Sequence, residues 1–126
     1  MRNFILLIGA FLGLISVGGG AYIDHALSHT IDIQALSRIK TALHYHQLYA
    51  VIISVIGLLL CARSILCLKL SAGFFILGII LFSFSIYVAV ITNAMIWIKL
   101  TPLGGVSLML GWILLGASAF SMQKTI

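Results

Sequence analysis

The chain has 126 residues, of which 63% are hydrophobic and only 7% are charged, and its formal net charge is +5. A soluble domain of this length leaves much of its surface in water, so it cannot hide this much apolar surface. The composition excludes an ordinary soluble fold and indicates one integral membrane domain, residues 1–126. The seven basic residues form no stripe with interleaved aromatics, which argues against nucleic acid and favours membrane lipids as partners.

Four apolar stretches are each long enough to cross a bilayer, which takes about 20 helical residues. We predict membrane spans at residues 4–22, 43–62, 70–92 and 102–121, forming an all-α, four-transmembrane-helix bundle. The first stretch follows Arg2 and ends in small residues, as a cleavable signal peptide does, but we expect it to remain as a span.

The least hydrophobic segment, residues 23–42, separates the first two spans. Asp32 is a suitable N-cap for a helix that begins near Ile33. Apolar residues then recur at helical spacing, with Arg38 and Lys40 beside them. The pattern predicts a short amphipathic helix lying along the membrane interface.

Small residues in the spans predict where helices meet, because they let backbones approach closely in lipid. The expected packing glycines are Gly9, Gly13, Gly73, Gly78, Gly104, Gly105 and Gly111. Thr101 and Pro102 predict the start of the fourth span, with Thr101 as N-cap and Pro102 at the first helical position.

Aromatic and basic residues near the ends of the spans are expected to anchor the bundle at the membrane surfaces. These predicted anchors are Tyr45, Tyr49, Trp97 and Lys99. With four spans both termini lie on one side, which holds four basic residues against three on the other: Arg2, Arg63, Lys69 and Lys124 against Arg38, Lys40 and Lys99. The bias predicts a multi-pass protein of the cell inner (plasma) membrane with both termini cytoplasmic. Cys61 and Cys67 then face the reducing side, where we expect thiols.

The residues with chemical capacity are four histidines: His25, His29, His44 and His46. His25 and His29 are four residues apart, as in zinc-binding pairs on a helix, and a third histidine would complete a site. We expect instead that these histidines bond lipid head groups and backbone, with metal binding and pH sensing as alternatives. No cofactor is predicted.

The central turns of the predicted spans carry no acidic, basic or histidine residue, which argues against a pump or an ion-coupled transporter. The hydroxyls of Ser83, Ser85 and Tyr87 lie at depth. Serine hydroxyls in membrane helices mostly bond their own backbone or a neighbouring helix, so we expect that role here.

Four motifs follow one another at family-like spacing: Ala72-Gly73, the residues FSFSIY at 82–87, TPLGG at 101–105, and Gly111-Trp112. On these motifs the chain resembles a small bacterial membrane family, domain of unknown function 423, to which eukaryotic transmembrane protein 256 is related. The resemblance covers nearly the whole chain and implies four transmembrane helices and no known activity.

The N-terminal half departs from that family pattern. The family has Gly-Ala-His-Gly-Leu after its first span, and residues 23–27 (IDHAL) keep only the His and the Leu at the corresponding places. A family histidine at the start of the second span falls at or next to Tyr49, with His46 three residues earlier. The resemblance therefore does not carry over a function that needs both family histidines.

Three functions are compatible with these observations. The first is a non-enzymatic membrane protein acting through lipid or protein contacts, as an accessory subunit of a larger complex or a homo-oligomer. The second is a carrier or permeation element for a small neutral or apolar solute. The third is a metal-dependent membrane enzyme using the histidines. We favour the first, because the spans have glycine-rich packing faces and no buried charge.

Overall fold

The computed structural model describes residues 2–123, with side chains for residues 4–122. Five α-helices follow one another: α1 (Arg2–His25), α2 (Ile33–Ala62), α3 (Leu66–Ile79), α4 (Ser85–Thr92) and α5 (Thr101–Gln123). A π-helical turn, Ile80–Phe84, joins α3 to α4, and 3-10 turns at Leu27–His29 and Met95–Leu100 lie in the two connectors on one face. Four helical units in this part of the chain are long and apolar enough to cross a membrane, which confirms the predicted four-helix bundle.

The short interfacial helix predicted between the first two spans is wrong. Residues 33–42 are the first turns of α2, which runs unbroken for 30 residues. Asp32 caps it as predicted, because its carboxylate accepts a 2.7 Å hydrogen bond from the backbone N–H of Ala35. No glycine or proline interrupts residues 33–56, so the helix continues. At about 45 Å, α2 is longer than the hydrocarbon core of roughly 30 Å, and the amphipathic pattern is its polar end.

Helices α1 and α2 lie antiparallel and touch backbone to backbone at two glycines. A Cβ at Gly9 would lie 2.7 Å from the backbone nitrogen of Ser54, and one at Gly57 would lie 2.6 Å from that of Leu6. Such close approach maximises van der Waals contact, which drives helix association in lipid.

Helices α3 and α5 form the second close pair. The backbone of Gly104 meets that of Gly78, and a Cβ at Gly104 would lie 2.8 Å from the Gly78 carbonyl oxygen. Two serines cross between the helices: Ser71 donates to the Gly111 carbonyl and Ser107 to the Phe74 carbonyl, each at 2.8 Å.

The N-cap role predicted for Thr101 is wrong. Thr101 already has helical backbone angles (φ −58°, ψ −45°), because the 3-10 turn before it leads directly into α5. Its hydroxyl lies 2.8 Å from the hydroxyl of Ser85, so it links α5 to α4. Pro102 is the second residue of α5 and lies in its first turn, where proline is tolerated.

The centre of the bundle is packed with apolar side chains from α2 and α3. Those with almost no exposed surface are Phe75, Ile53, Ile56, Leu60, Leu68 and Ile79. Ile39 belongs to a second buried cluster, with Ile23 and Leu27. Large apolar side chains also face outward along α1, where Leu7, Leu14 and Val17 are 64–70% exposed. Apolar surface on the outside is what a lipid environment requires.

Candidate functional site

A buried histidine–tyrosine pair lies between α2 and α4. His46 is 1% exposed, and its Nδ1 lies 3.0 Å from the hydroxyl oxygen of Tyr87. The ring of Phe84 lies 5.3 Å from the imidazole. The expected surface position of His46 is wrong, because α2 starts ten residues earlier than predicted and places this residue near the middle of the helix.

The second ring nitrogen of His46, Nε2, is buried and has no hydrogen-bond partner among the described residues. The histidine forms part of the wall of a cavity of about 150 Å³ between α1, α2 and α4. The rest of that wall is almost entirely apolar and includes Ile15, Ile23, Leu43, Phe84 and Ile91. We call this space the histidine cavity.

The π-helical turn shapes one side of this site. Residues 81–87, which include most of this turn and the start of α4, are all buried or half-buried. Ser83 uses this position to donate a 2.7 Å hydrogen bond to the carbonyl oxygen of Ala42 in α2. Ser85 bonds the Phe82 carbonyl of its own helix at 2.8 Å. Both hydroxyls take the predicted backbone-bonding role. Turns of this kind occur often at functional sites.

A larger cavity of about 560 Å³ opens on the membrane face formed by the two 3-10 connectors. It shares Tyr22, Leu27 and Ile91 with the histidine cavity as walls. Its polar lining residues are Thr30, Asp32, Gln34, Arg38 and Asn93. We call it the arginine cavity.

Arg38 is the cation of the arginine cavity. It is partly buried, and its guanidinium contacts the sulfur of Met95 at 3.9 Å. Within residues 4–122, no carboxylate forms an ion pair with it. Asp32 lines the same cavity, with one oxygen engaged by the backbone N–H of Ala35.

The four histidines do not converge. His25, His29 and His44 are exposed, whereas His46 is inside the bundle. In the part of the chain that the structure describes, no group of three or more His, Cys, Asp or Glu residues is placed to hold a metal ion.

The predicted surface anchors lie in different environments. Tyr49 is 4% exposed and accepts a 2.7 Å hydrogen bond from Trp112 Nε1, so its predicted place at the membrane surface is corrected to the core. Sequence hydropathy does not show this, because a tyrosine hydroxyl finds a partner equally well in a head group or on another helix. Tyr45 is 37% and Trp97 44% exposed, and Lys99 is also exposed.

The predicted packing glycines divide into two groups. Gly9, Gly78, Gly104 and Gly111 lie so close to a neighbouring helix that a Cβ would overlap it, and Gly13 is in ordinary contact range of Ala50. Gly73 and Gly105 have no atom within 4 Å of such a Cβ, so the structure places them at no close contact within the described chain. Gly57, at the second close α1–α2 contact, is not among the predicted glycines.

The fold and its apolar exterior define a multi-pass integral membrane protein with four helical spans. The chain belongs to the family described as "Protein of unknown function (DUF423)", which matches residues 19–105. It is 34% identical to a UPF0382 membrane protein of Haemophilus influenzae over 126 residues, 98% of this chain and 99% of the relative.

Two further relatives span almost the same length. The UPF0382 inner membrane protein YgdD of Escherichia coli K12 is 31% identical, covering 97% of this chain and 93% of its own. The UPF0382 membrane protein YwdK of Bacillus subtilis is 35% identical, and the match covers 94% of this chain and 97% of the relative. No solved structure matches the chain significantly.

Proposed function

We propose that this protein acts without catalysis, by binding a phospholipid head group in the arginine cavity. The observation that carries the proposal is Arg38, a partly buried cation with no carboxylate partner in residues 4–122, in the wall of a 560 Å³ cavity. A guanidinium binds phosphate oxygens through charge-assisted hydrogen bonds. The cavity lies where α1 and α4 end. The ends of membrane spans are where we expect lipid head groups.

The second charged group of the cavity narrows the lipid class. Asp32 lines the same wall, so a free phosphate or a singly anionic head group would meet repulsion as well as attraction. A zwitterionic head group satisfies both charges, with its phosphate at Arg38 and its ammonium at Asp32. We therefore propose a phosphatidylethanolamine-type lipid. With both termini cytoplasmic, this lipid belongs to the outer leaflet of the inner membrane.

The alternative of a carrier has less support. Both cavities lie toward one face, and the layer around Phe75, Ile53 and Ile56 is fully buried beneath them. Passage of a solute across the membrane would require that layer to open. A role as homo-oligomer or accessory subunit remains compatible with lipid binding, and mass determination in a mild detergent tests it.

The test measures lipid binding to the purified full chain by native mass spectrometry, with phosphatidylethanolamine and phosphatidylglycerol as the two lipids. We expect one retained phosphatidylethanolamine per chain. Arg38→Gln should weaken the binding of both lipids roughly tenfold, because a charged hydrogen bond to the phosphate is lost. Asp32→Asn keeps the helix cap but removes the charge, so it should weaken only phosphatidylethanolamine.

Lys40→Gln is the matched control for these variants. It removes the same charge two residues away on α2, from an exposed side chain outside the arginine cavity. Equal loss of lipid from Arg38→Gln and Lys40→Gln would show that the cavity does not select lipid. Binding of phosphatidylglycerol in preference to phosphatidylethanolamine would overturn the assignment of Asp32.

A further inference from the structure

We propose that the histidine cavity binds a small, mostly apolar molecule of about one six-membered ring that carries one hydroxyl or carbonyl oxygen. This inference is independent of lipid binding at Arg38. It rests on the size of the cavity, on its apolar wall and on the unpartnered Nε2 of His46.

The cavity sets the size of the ligand. A space of about 150 Å³ lined by aliphatic and aromatic side chains is large enough for a benzene-sized molecule. The wall between Ile15 on α1, Leu43 on α2 and Ile91 on α4 offers apolar contact to the body of such a molecule.

His46 sets the polar group. A buried ring nitrogen without a partner costs free energy. His46 forms part of the cavity wall, so a ligand oxygen that reached Nε2 from the cavity would recover that free energy. If the Tyr87 hydroxyl donates to Nδ1, both groups of that pair are satisfied and Nε2 carries the remaining proton. Nε2 then acts as a donor, and the complementary ligand group is an oxygen that accepts.

The competing role for His46 is purely structural. The backbone of Leu12 in α1 approaches the imidazole but completes no hydrogen bond with Nε2. In a structural role, His46 would join α1 to α4 through Leu12 and Tyr87, and the cavity would take up no ligand. The ligand-binding role predicts that a small ring binds in the cavity and that an oxygen on the ring increases its affinity. The structural role predicts neither.

The experiment compares 4-fluorophenol with 4-fluorotoluene by fluorine NMR on the full chain in detergent. The two probes have nearly the same size and differ in hydroxyl against methyl. We expect a saturable bound resonance for 4-fluorophenol, distinct from the micelle signal, and roughly tenfold weaker binding of 4-fluorotoluene, because only the phenol bonds Nε2. His46→Leu should abolish this preference while leaving a ring-sized space.

Gly19→Val supplies the control for the cavity itself. Gly19 lines the cavity, and a Cβ added there would have Leu43 Cδ1 at 4.0 Å and no atom of His46 or Tyr87 within 4 Å. We expect this variant to lose the bound resonance of both probes. Absence of saturable binding to the native chain, or equal binding of the two probes, would overturn the proposal and leave His46 with its structural role. A bound resonance that survives Gly19→Val would place the probe elsewhere.

Discussion

The hydroxyl of Ser83 donates a 2.7 Å hydrogen bond to the carbonyl oxygen of Ala42, which ties the π-helical turn to α2. That carbonyl lies four residues before His46 on α2, and Tyr87 lies four residues after Ser83 on α4. One turn of helix on each side thus separates this contact from the His46–Tyr87 pair. The Ser83–Ala42 hydrogen bond and the His46–Tyr87 hydrogen bond therefore join the same two segments of the bundle, one helical turn apart.

Replacing Ser83 with alanine should therefore loosen α2 from α4. We expect Ser83→Ala to lower the free energy of unfolding by about 0.6 kcal/mol, the average for interhelical hydrogen bonds in a membrane protein, and by no more than about 1.7 kcal/mol. Unfolding in mixed detergent micelles measures the change. Ser118→Ala is the control, because Ser118 is equally buried but bonds the Leu115 carbonyl of its own helix. An equal loss in both variants would contradict the interhelical role of Ser83.

The adjacent glycines at 104 and 105 should respond oppositely to alanine. A methyl group at Gly104 would overlap the backbone nitrogen of Phe82 and the Gly78 carbonyl, whereas one at Gly105 meets no atom within 4 Å. We expect Gly104→Ala to lower the free energy of unfolding by about 1–3 kcal/mol through overpacking. Gly105→Ala should be neutral or stabilise by up to about 1 kcal/mol, since alanine favours helix.

Thermal unfolding of both glycine variants in one detergent measures this difference. The comparison isolates packing, because the two positions share helix, depth and residue type. A Gly105→Ala variant as unstable as Gly104→Ala would indicate that position 105 contacts a surface outside this chain.

The four spans and the Asp32 cap could be predicted because each depends on local sequence. The length of an apolar stretch predicts a membrane span, and a carboxylate just before a helical pattern predicts an N-cap. The extent of α2 could not be predicted in the same way. Its polar first turns have the pattern of a separate interfacial helix, and only tertiary packing of Ile39 and Ala42, both almost fully buried, shows that they belong to the span.

The candidate site was harder to predict than the fold. Side chains that face lipid and side chains that face a neighbouring helix are both apolar, so hydropathy does not distinguish the faces of a span. For this reason the inward direction of His46 and Tyr49 was not evident from the residues around them. Gly57 was missed because its contact depends on the position of Leu6, on another helix.

The hydrogen bond from Trp112 Nε1 to the Tyr49 hydroxyl should contribute measurably to stability. It joins α5 to α2 beside Phe75, whose ring lies 5.1 Å from that of Tyr49 and 5.5 Å from that of Trp112. A double-mutant cycle of Tyr49→Phe and Trp112→Phe should give a coupling energy of about 0.6–1.7 kcal/mol. Additive effects of the two substitutions would show that the hydrogen bond between Tyr49 and Trp112 does not contribute measurably to stability.

The orientation of the bundle determines which leaflet would supply the lipid proposed for the arginine cavity. The experiment starts from a variant in which Cys61 and Cys67 are replaced with serine. One cysteine is then introduced, either at Ser64, which is exposed between α2 and α3, or at His29, which is exposed on the opposite face. A membrane-impermeant maleimide added to spheroplasts should label His29→Cys directly and Ser64→Cys only after permeabilisation. This expectation follows from the basic residues Arg63 and Lys69, which flank Ser64 near helix ends, where positive charge favours the cytoplasm. The reverse labelling would invert the topology and place the arginine cavity in the cytoplasmic leaflet, without altering its geometry.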